Sequence, residues 1–335
     1  MNDLDMGALE RWLEVKLPSE QGLSVERIGG GQSNPTWFVD FGKARLVLRK
    51  KPAGPILKGA HAIEREFRVL RALDASPVPV PRALWLEEDT AHLGTPFYVM
   101  ERLEGRVFND NGIAGVSPAD RREMYLDTAR TLARLHAVRP DEVGLGDFGR
   151  PGSYFERQFK RWSDQYAQSP SPRIPALDKL VEWLPANMPP EDGAVSIAHG
   201  DFRIGNLMFH PTEPRVIAVL DWELATLGHP LADLGYALMP WRTSPQEYGG
   251  ILGADWQSAG IPTEDEFVAE YMAHAHAPLT LTRFHVAFAL FRFSVIFVGI
   301  ADRARAGTAS SEDASAHGDL PELFARRALE AAGLA

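Results

Sequence analysis

The chain has 335 residues, of which 45% are hydrophobic and 24% are charged, the composition of an ordinary globular protein. At this length it can bury a substantial core, and two lobes or domains are expected. The net charge of −10 argues against a nucleic-acid partner, which requires a basic surface, and the lack of cysteine excludes disulfides and thiolate chemistry.

The first hundred residues predict a small sheet with one main helix. Runs of β-branched and aromatic residues predict strands, and Phe41-Gly42-Lys43 is a hairpin turn between two of them. Ile63, Phe67 and Leu70 form a helical stripe that ends before three closely spaced prolines. The predicted helices span 8–17 and 61–73, and the predicted strands span 25–28, 36–40, 45–49, 84–86 and 97–101.

From about residue 105 onward, apolar residues recur at helical spacing. This pattern predicts helices at 119–138, 153–168, 176–184, 231–239, 264–274 and 281–303, while 306–318 is typical of a flexible loop. The sequence therefore predicts an α+β protein with two lobes. We expect a small antiparallel-sheet lobe over 1–103, a larger and mainly helical lobe over 104–335, and a ligand site between them.

The sequence predicts neither a secretory signal nor a membrane span. The start, MNDLDMGALERWLEV, is polar and acidic. The most apolar stretch, 286–300, contains Arg292 and Ser294 and is shorter than a bilayer requires, so it predicts a buried helix. We therefore expect a cytoplasmic protein without a membrane partner.

The most informative stretch is HGDFRIGN at 199–206, which is followed by Asp221 in the triplet DWE. Apolar runs at 207–209 and 216–220 flank a segment rich in proline and predict a β-hairpin. The midpoint between Asn206 and Asp221 falls in the turn of this hairpin. We therefore expect those two residues to be cross-strand neighbours.

Asp201, on the loop five residues upstream of Asn206, can then face the same cavity as Asn206 and Asp221. Two carboxylates and one amide that converge in this way suit phosphoryl transfer. In that chemistry the protein holds Mg²⁺ on nucleotide phosphates and orients an attacking hydroxyl.

Two other interpretations of this stretch remain open. An Asx-rich turn that merely caps a hairpin contains the same residue types. A metal-dependent hydrolase is the second, because its ligands could come from His199, Asp201, His210, Asp221, Glu223 and His229. Against it, only one glycine separates His199 from Asp201, and the chain has no His-x3-His helical pair.

A glycine-rich turn, Gly29 to Asn34, lies between the first two predicted strands. Because glycine has no Cβ, a glycine-rich turn lets backbone N–H groups approach phosphate oxygens. Gly30, Gly31 and Ser33 are therefore candidate nucleotide-binding residues. It is not a Walker A loop, because no Gly-Lys-Ser/Thr follows. A plain hairpin loop is the alternative.

Arg49 ends the third predicted strand, where a cation can reach the α- and β-phosphates of a nucleotide. The alternative is a solvated strand end in a basic run. Glu66 lies beside the apolar stripe of the following helix, so it can point inward and hold Arg49. Otherwise it is an exposed glutamate that pairs with Arg65 or Arg68.

Two further polar residues flank the central stretch. Arg203, two residues after Asp201, is placed to bring positive charge near the transferred phosphoryl group, unless it is a surface arginine. Asp233, in GHPLADLGY, is expected to start or cap a helix and to hydrogen-bond the loop of Asp201 rather than touch the substrate.

These residues together resemble the aminoglycoside phosphotransferase and choline kinase family, whose fold is similar to that of eukaryotic protein kinases. The resemblance covers nearly the whole chain, from Gly29 to Asp233. The strings VLRKKP, HGDFRIGN and LDWELATLGHPLADLGY most resemble a bacterial branch related to the kinase-like domains of some acyl-CoA dehydrogenases. A protein kinase is disfavoured, because only eleven residues separate Asp221 from Asp233, too few for an activation segment.

The resemblance implies a protein kinase-like fold and transfer of the γ-phosphoryl group of ATP, with Mg²⁺, to a small-molecule hydroxyl. It implies that Asp201 is the catalytic base or the hydroxyl-orienting carboxylate, and that Asn206 and Asp221 bind Mg²⁺. Arg49 and Glu66 match the strand-three cation and its helix partner, although kinase-like folds usually have lysine at that strand position.

The resemblance also implies where the nucleotide binds. The Gly29–Asn34 turn would cover the phosphates, and FYVMERLE at 97–104 matches the inter-lobe hinge. There, the backbones of Glu101 and Leu103 would hydrogen-bond adenine, with Met100 packed behind it.

Two questions stay open. A nucleotide-binding regulatory protein without catalysis is the alternative to an enzyme. Arg49 favours this alternative, and the intact Asp201, Asn206 and Asp221 oppose it.

The second question is the acceptor. The candidates are a polycation, an amino alcohol, a sugar and a hydroxylated acyl thioester. Acidic residues of the helical lobe could line a binding site for a cationic acceptor, or they could simply form solvated faces. They are Asp164, Glu182, Asp255, Glu264, Asp265 and Glu266.

Overall fold

The computed structural model describes residues 4–17, 22–29, 34–52, 62–150, 152–307 and 319–335. By backbone contacts the chain divides into two compact units. The first unit comprises Met1–Gly105 and Ile217–Ala225, and the second comprises Arg106–Val216 and Thr226–Ala335. The first stretch of unit 1 ends two residues after the expected lobe boundary at 103, and a short later segment, which carries Asp221, also belongs to this unit.

Unit 1 is built on a five-stranded antiparallel sheet in the order β1-β2-β3-β5-β4. The predicted hairpin turn is present: Phe41 pairs with Ala44, and Gly42 between them has a positive φ of 60°, which favours glycine. The strands are β1 Leu23–Arg27, β2 Thr36–Phe41, β3 Ala44–Lys50, β4 Ala83–Glu87 and β5 Phe97–Glu101.

Three helices accompany this sheet: α1 Met6–Lys16, α2 Ile63–Leu73 and α3 Thr90–Leu93. The apolar face of α1 packs on one side of the sheet, where Trp12 meets Phe97 with ring centroids 4.9 Å apart. Helix α2 buries Ile63 and Leu70 as predicted, whereas Phe67 is only partly buried and Glu66 is 1% exposed. A carboxylate buried to this degree requires partners.

Unit 2 is mainly helical. Its helices are α4 Pro118–Ala137, α5 Tyr154–Ala167, α6 Pro175–Ala186, α7 Pro230–Ala237, α8 Trp256–Ala259, α9 Glu264–His274, α10 Arg283–Arg305 and α11 Leu320–Ala332. Short strands complete it: β6 Arg106–Val107 pairs with β8 Leu207–Phe209, and β7 Ser196–Ala198 pairs with β10 Thr226–Gly228.

The predicted β-hairpin after HGDFRIGN is confirmed. Strand β8 is followed by β9, Val216–Val219, and the His210 N–H donates to the Arg215 carbonyl at 2.9 Å to close the turn. Strand β9 leads the chain from unit 2 into unit 1. Asn206 therefore belongs to unit 2 and Asp221 to unit 1.

Helix α10 has the length that the sequence predicted for it, but it lies at Arg283–Arg305 and not at 281–303. With 23 residues and a mean hydropathy of 2.0, it passes a length-and-composition test for a membrane span. However, 72% of its most apolar stretch is buried inside the protein, where it packs against α5, α7 and α11. Burial as a core helix, as predicted, accounts for its composition. Helix α11, which was not predicted, supplies Phe324, which stacks on Phe297.

Candidate active site

In unit 1, strand β3 carries Arg49 into a buried cluster of charges. Its Nε lies 3.1 Å from Glu66 Oε2, and its Nη2 donates to Asp221 Oδ1 at 2.8 Å. The Arg49 side chain is 11% exposed. The prediction that Glu66 points inward and holds Arg49 is confirmed, and the alternative of a solvated strand end is wrong.

Glu66 is the centre of this cluster. Asn34 donates from Nδ2 to Glu66 Oε1 at 2.6 Å, and the Tyr98 hydroxyl donates to Oε2 at 3.1 Å. Burial raises the pKa of Glu66 to about 7, although the charge of Arg49 opposes the shift. With donors on both oxygens, the carboxylate has a fixed orientation, and so does the guanidinium beside it.

Asp221 follows β9 in a left-handed conformation with a φ of 63°, which a residue other than glycine adopts at a cost. Arg49 occupies Oδ1 of this carboxylate. A carboxylate accepts several partners, so Asp221 can bind a cation in addition to Arg49. The chemistry of this donor fits the predicted Mg²⁺ ligand.

The other predicted nucleotide-binding residues of unit 1 are placed only in part. Gly30, Gly31 and Ser33 lie outside the described residues. Met100 and Glu101 are the last two residues of β5, and Leu103 follows two positions after its end. The Glu101 N–H already donates to the Arg82 carbonyl at 3.0 Å, so a contact of Glu101 with adenine would use its carbonyl oxygen.

In unit 2, the loop that carries Asp201 is anchored by Asp233. This carboxylate, 2% exposed at the start of α7, accepts the N–H groups of His199 at 2.6 Å and of Gly200 at 2.9 Å. Burial alone would raise the pKa of Asp233, but the hydrogen bond and charge of His136 and the Gly200 N–H lower it below its usual value. The predicted structural role of Asp233 is confirmed.

Asp201 and Asn206 are in direct contact within this loop. The Asn206 side chain donates from Nδ2 to Asp201 Oδ2 at 2.7 Å and to the Asp201 backbone carbonyl at 2.9 Å. A tight turn over Ile204–Asn206 brings the two residues together. The Asn206 side-chain nitrogen donates to Asp201, and a nitrogen of this kind does not bind Mg²⁺. The side-chain oxygen of Asn206 is therefore the atom suited to be a Mg²⁺ ligand.

Arg203 lies beside the same carboxylate. Its Nε is 3.5 Å from Asp201 Oδ2, and its side chain is 43% exposed. Arg203 therefore places positive charge next to Asp201, whereas the predicted position near a transferred phosphoryl group is not tested by this contact. Its part in catalysis stays a prediction.

Tyr236 and Arg292 also contact this loop, although neither was predicted as a site residue. The Tyr236 hydroxyl donates to Asp201 Oδ1, and Arg292 Nη2 donates to the Gly200 carbonyl at 2.9 Å. Two signals were available: Tyr236 lies three residues after Asp233 and hence on the same helical face, and Arg292 is a charge inside a long apolar segment.

A cavity of about 320 Å³ in unit 2 borders this loop. Arg203 and Tyr236, two of the side chains that contact Asp201, line it together with residues that include Met239, Tyr248 and Phe293. In the part of the chain that the structure describes, no carboxylate side chain is among the lining residues. The lining therefore combines aromatic and aliphatic side chains with neutral polar groups, such as the amides of Asn109 and Asn111, and with the single cation of Arg203.

The histidines of the hydrolase alternative serve other roles. His199 Nδ1 accepts the Asp201 N–H, His210 Nδ1 accepts two N–H groups of the hairpin turn, and His229 caps α7. Among the described residues, no three histidine, aspartate or glutamate side chains are grouped as metal ligands. The arrangement does not support a multi-histidine metal centre.

The comparison with protein families decides between the remaining interpretations. A model of the phosphotransferase enzyme family, APH, matches residues 24–272. The chain belongs to this phosphotransferase family. The predicted family is thereby confirmed, and an Asx-rich turn without catalytic ancestry does not explain so long a match.

Curated relatives confirm the predicted branch of the phosphotransferase family. Acyl-CoA dehydrogenase family member 11 of Gallus gallus is 40% identical over 338 residues, which cover 97% of this chain and 43% of that protein. Probable acyl-CoA dehydrogenase IBR3 of Arabidopsis thaliana is 43% identical over 305 residues, which cover 86% of this chain and 37% of that protein. This chain thus spans less than half the length of these relatives.

Solved structures confirm the fold. A crystal structure of a candidate aminoglycoside phosphotransferase from Ralstonia eutropha is 44% identical, has a TM-score of 0.90, and covers 98% of both chains. The GDP complex of aminoglycoside 2′-phosphotransferase-IIIa is 15% identical, with a TM-score of 0.63 over 96% of this chain and 99% of that one. The predicted α+β, protein kinase-like fold is correct.

Proposed function

We propose that this phosphotransferase uses ATP and Mg²⁺ to phosphorylate a hydroxyl group of a small molecule. The observation that carries the proposal is the Asp201 carboxylate, held at 2.7 Å by Asn206 on a loop whose backbone is fixed by buried Asp233. A carboxylate held in this way is suited to orient an attacking hydroxyl.

The nucleotide is assigned mainly to residues of unit 1. Arg49, fixed by Glu66, would bind the α- and β-phosphates, and the backbones of Glu101 and Leu103 would bind adenine with Met100 behind it. Asn206 and Asp221 offer amide and carboxylate oxygens, which are the ligands that Mg²⁺ prefers. Bound there, Mg²⁺ would neutralise charge on the phosphate oxygens.

The transfer itself requires little covalent chemistry from the protein. The acceptor oxygen forms a bond to the γ-phosphorus, the bond from that phosphorus to the β,γ-bridging oxygen breaks, and ADP leaves with the electron pair. Asp201 accepts the hydrogen bond of the acceptor hydroxyl and receives its proton late in the reaction. Arg203 offsets negative charge on the transferred group.

The acceptor proposed for the 320 Å³ cavity is a hydroxyl compound with an apolar or anionic body. The lining carries Arg203 and aromatic rings, which do not match a polycation. Three of the six acidic residues that could have formed a site for a cation are engaged in other contacts: Glu266 pairs with Arg122, Glu264 with Arg242, and Asp255 caps α8.

The test is ADP release from MgATP by the purified protein and by Asp201→Asn. The acceptors offered are a hydroxy carboxylic acid with an apolar chain, a hexose and an aminoglycoside. We expect turnover by the wild-type protein to exceed that of the variant by about 100-fold or more, with ATP binding retained in both. If ATP binds but the wild-type protein turns over none of these, the regulatory alternative replaces the enzyme.

A further inference from the structure

Tyr236 occupies a position that the proposed chemistry has not yet used. Helix α7 places it three residues after Asp233, so both side chains project toward the loop of Asp201. Asp233 accepts two backbone N–H groups of that loop, and the Tyr236 hydroxyl donates to Oδ1 of Asp201 itself. One short helix therefore fixes both the loop and its carboxylate.

Tyr236 is held rigidly and stays a donor. It is 5% exposed, its ring packs on Phe293 with centroids 5.6 Å apart, and the Arg292 guanidinium lies 5.9 Å from the ring centroid. Burial and the charge of Asp201 raise the pKa of Tyr236 well above its usual value, so the hydroxyl keeps its proton.

The donors around Asp201 are arranged on opposite oxygens. Asn206 Nδ2 binds Oδ2, with Arg203 on the same side at 3.5 Å, while Tyr236 binds Oδ1. A carboxylate bonded through one oxygen can still turn about its last side-chain torsion, whereas donors on both oxygens fix its plane. Without Tyr236, the Oδ1 side would lose this restraint.

Tyr236 also forms part of the wall of the 320 Å³ cavity in which an acceptor would bind. A hydroxyl that enters this cavity therefore meets Tyr236, whose own hydroxyl donates to Asp201. We propose that Tyr236 is a positioning residue for phosphoryl transfer, which holds Asp201 with Oδ1 turned to the acceptor hydroxyl. This inference rests on the proposed function.

The test is a double-mutant cycle on ADP release from MgATP with Tyr236→Phe and Asp201→Asn. If Tyr236 acts through Asp201, Tyr236→Phe lowers kcat by about 10- to 100-fold in the wild-type background, as expected for a hydrogen bond to a charged group. Its KM for ATP stays within about twofold, and in the Asp201→Asn background the further loss is below about threefold. Equal losses in both backgrounds, or no loss in either, would overturn the proposal.

The matched control is Tyr166→Phe. Tyr166 is also a buried tyrosine, and its hydroxyl donates to a carboxylate, that of Asp178, but it has no contact with Asp201. We expect its kcat to stay within about twofold of wild type, because only a structural hydrogen bond is lost. A loss as large as that of Tyr236→Phe would show that the kinetic effect is a general result of removing a buried hydroxyl.

A second measurement separates this inference from the proposed function. Urea unfolding of the wild-type protein, Tyr236→Phe, Asp201→Asn and the double variant gives the coupling free energy between Tyr236 and Asp201. This measurement requires no turnover. Additive unfolding free energies contradict the contact even if the enzyme is active. A wild-type protein that binds but never turns over MgATP contradicts the proposed function and the kinetic role of Tyr236 together, whatever the coupling.

Discussion

Arg49 donates from Nη2 to Oδ1 of Asp221, which lies 172 residues farther along the chain, at a distance of 2.8 Å. The same guanidinium faces Glu66 through Nε at 3.1 Å. The planar guanidinium can donate hydrogen bonds to two carboxylates in two fixed directions, and the single ammonium group of a lysine does this less well. Arginine at a position where kinase-like folds usually have lysine is thus compatible with an intact site.

Replacement of Arg49 by methionine tests its contacts with Glu66 and Asp221. Arg49→Met leaves Glu66 buried without its cation, so we expect a loss of about 3 kcal/mol in unfolding free energy. We also expect ATP affinity to fall by about tenfold or more, because a phosphate contact is lost. Urea unfolding and calorimetric titration with ATP measure the two effects.

Arg45→Met is the control for Arg49→Met, because it removes an arginine from the same strand. Arg45 pairs with Asp40 and Glu104 at the surface, with half of its side chain exposed. Its loss should cost less than about 1 kcal/mol and leave ATP affinity unchanged. Equal effects of the two substitutions would contradict a special role for Arg49.

Asp221→Asn tests the predicted Mg²⁺ ligand. Asparagine tolerates the left-handed backbone found at this position, so the fold should persist. A neutral amide binds Mg²⁺ more weakly than a carboxylate, and we expect the Mg²⁺ concentration for half-maximal ADP release to rise at least about tenfold. Asp89→Asn, at a helix cap distant in sequence, is the control. An unchanged Mg²⁺ dependence would remove Asp221 from the ligand set.

Asp233→Asn tests the anchor of the catalytic loop. An asparagine can accept through only one oxygen, so at least one of the two loop N–H groups loses its charged partner. We expect a loss of about 2–4 kcal/mol in unfolding free energy and a fall in kcat of about tenfold or more. If stability falls but kcat in the folded fraction does not, the anchor matters for folding alone.

His285 predicts a loss of stability in acid. Burial, and to a lesser degree the charge of His229, lower its pKa to about 4 from 6.5, and its Nδ1 accepts the Thr282 N–H at the start of α10. Because the folded state disfavours protonation, the stabilisation is fully present above about pH 6.5 and is lost as the pH falls toward 4. The shift corresponds to about 3 kcal/mol.

Urea unfolding at pH 7 and at pH 4.5 measures this contribution in the wild-type protein and in His285→Gln. Glutamine at this position keeps the capping acceptor but does not titrate. We expect the difference between the two pH values to be smaller in His285→Gln by about 2–3 kcal/mol. An identical pH dependence in both proteins would assign the acid sensitivity to other groups.

Several features of the fold were predictable because local physics determines them. The hairpin after Asn206 follows from two apolar runs around a proline-containing turn, and the strands of unit 1 follow from β-branched and aromatic runs. The inward position of Glu66 was also predictable, since it lies beside the apolar stripe of α2. Helix α11 was not predicted, although its stretch LPELFARRALEAA is rich in good helix formers and is followed by Gly333.

The sequence by itself determined the chemistry: the residue types, their order and their spacing were sufficient to predict a phosphotransferase family. Only the tertiary structure decided which donors surround the Asp201 carboxylate. Tyr236 and Arg292 reach the loop of Asp201 from helices α7 and α10, 35 and about 90 residues away. Such contacts depend on how the helices pack and on which charges become buried. They join residues that are close in space but far apart in the sequence, so spacing along the chain does not predict them.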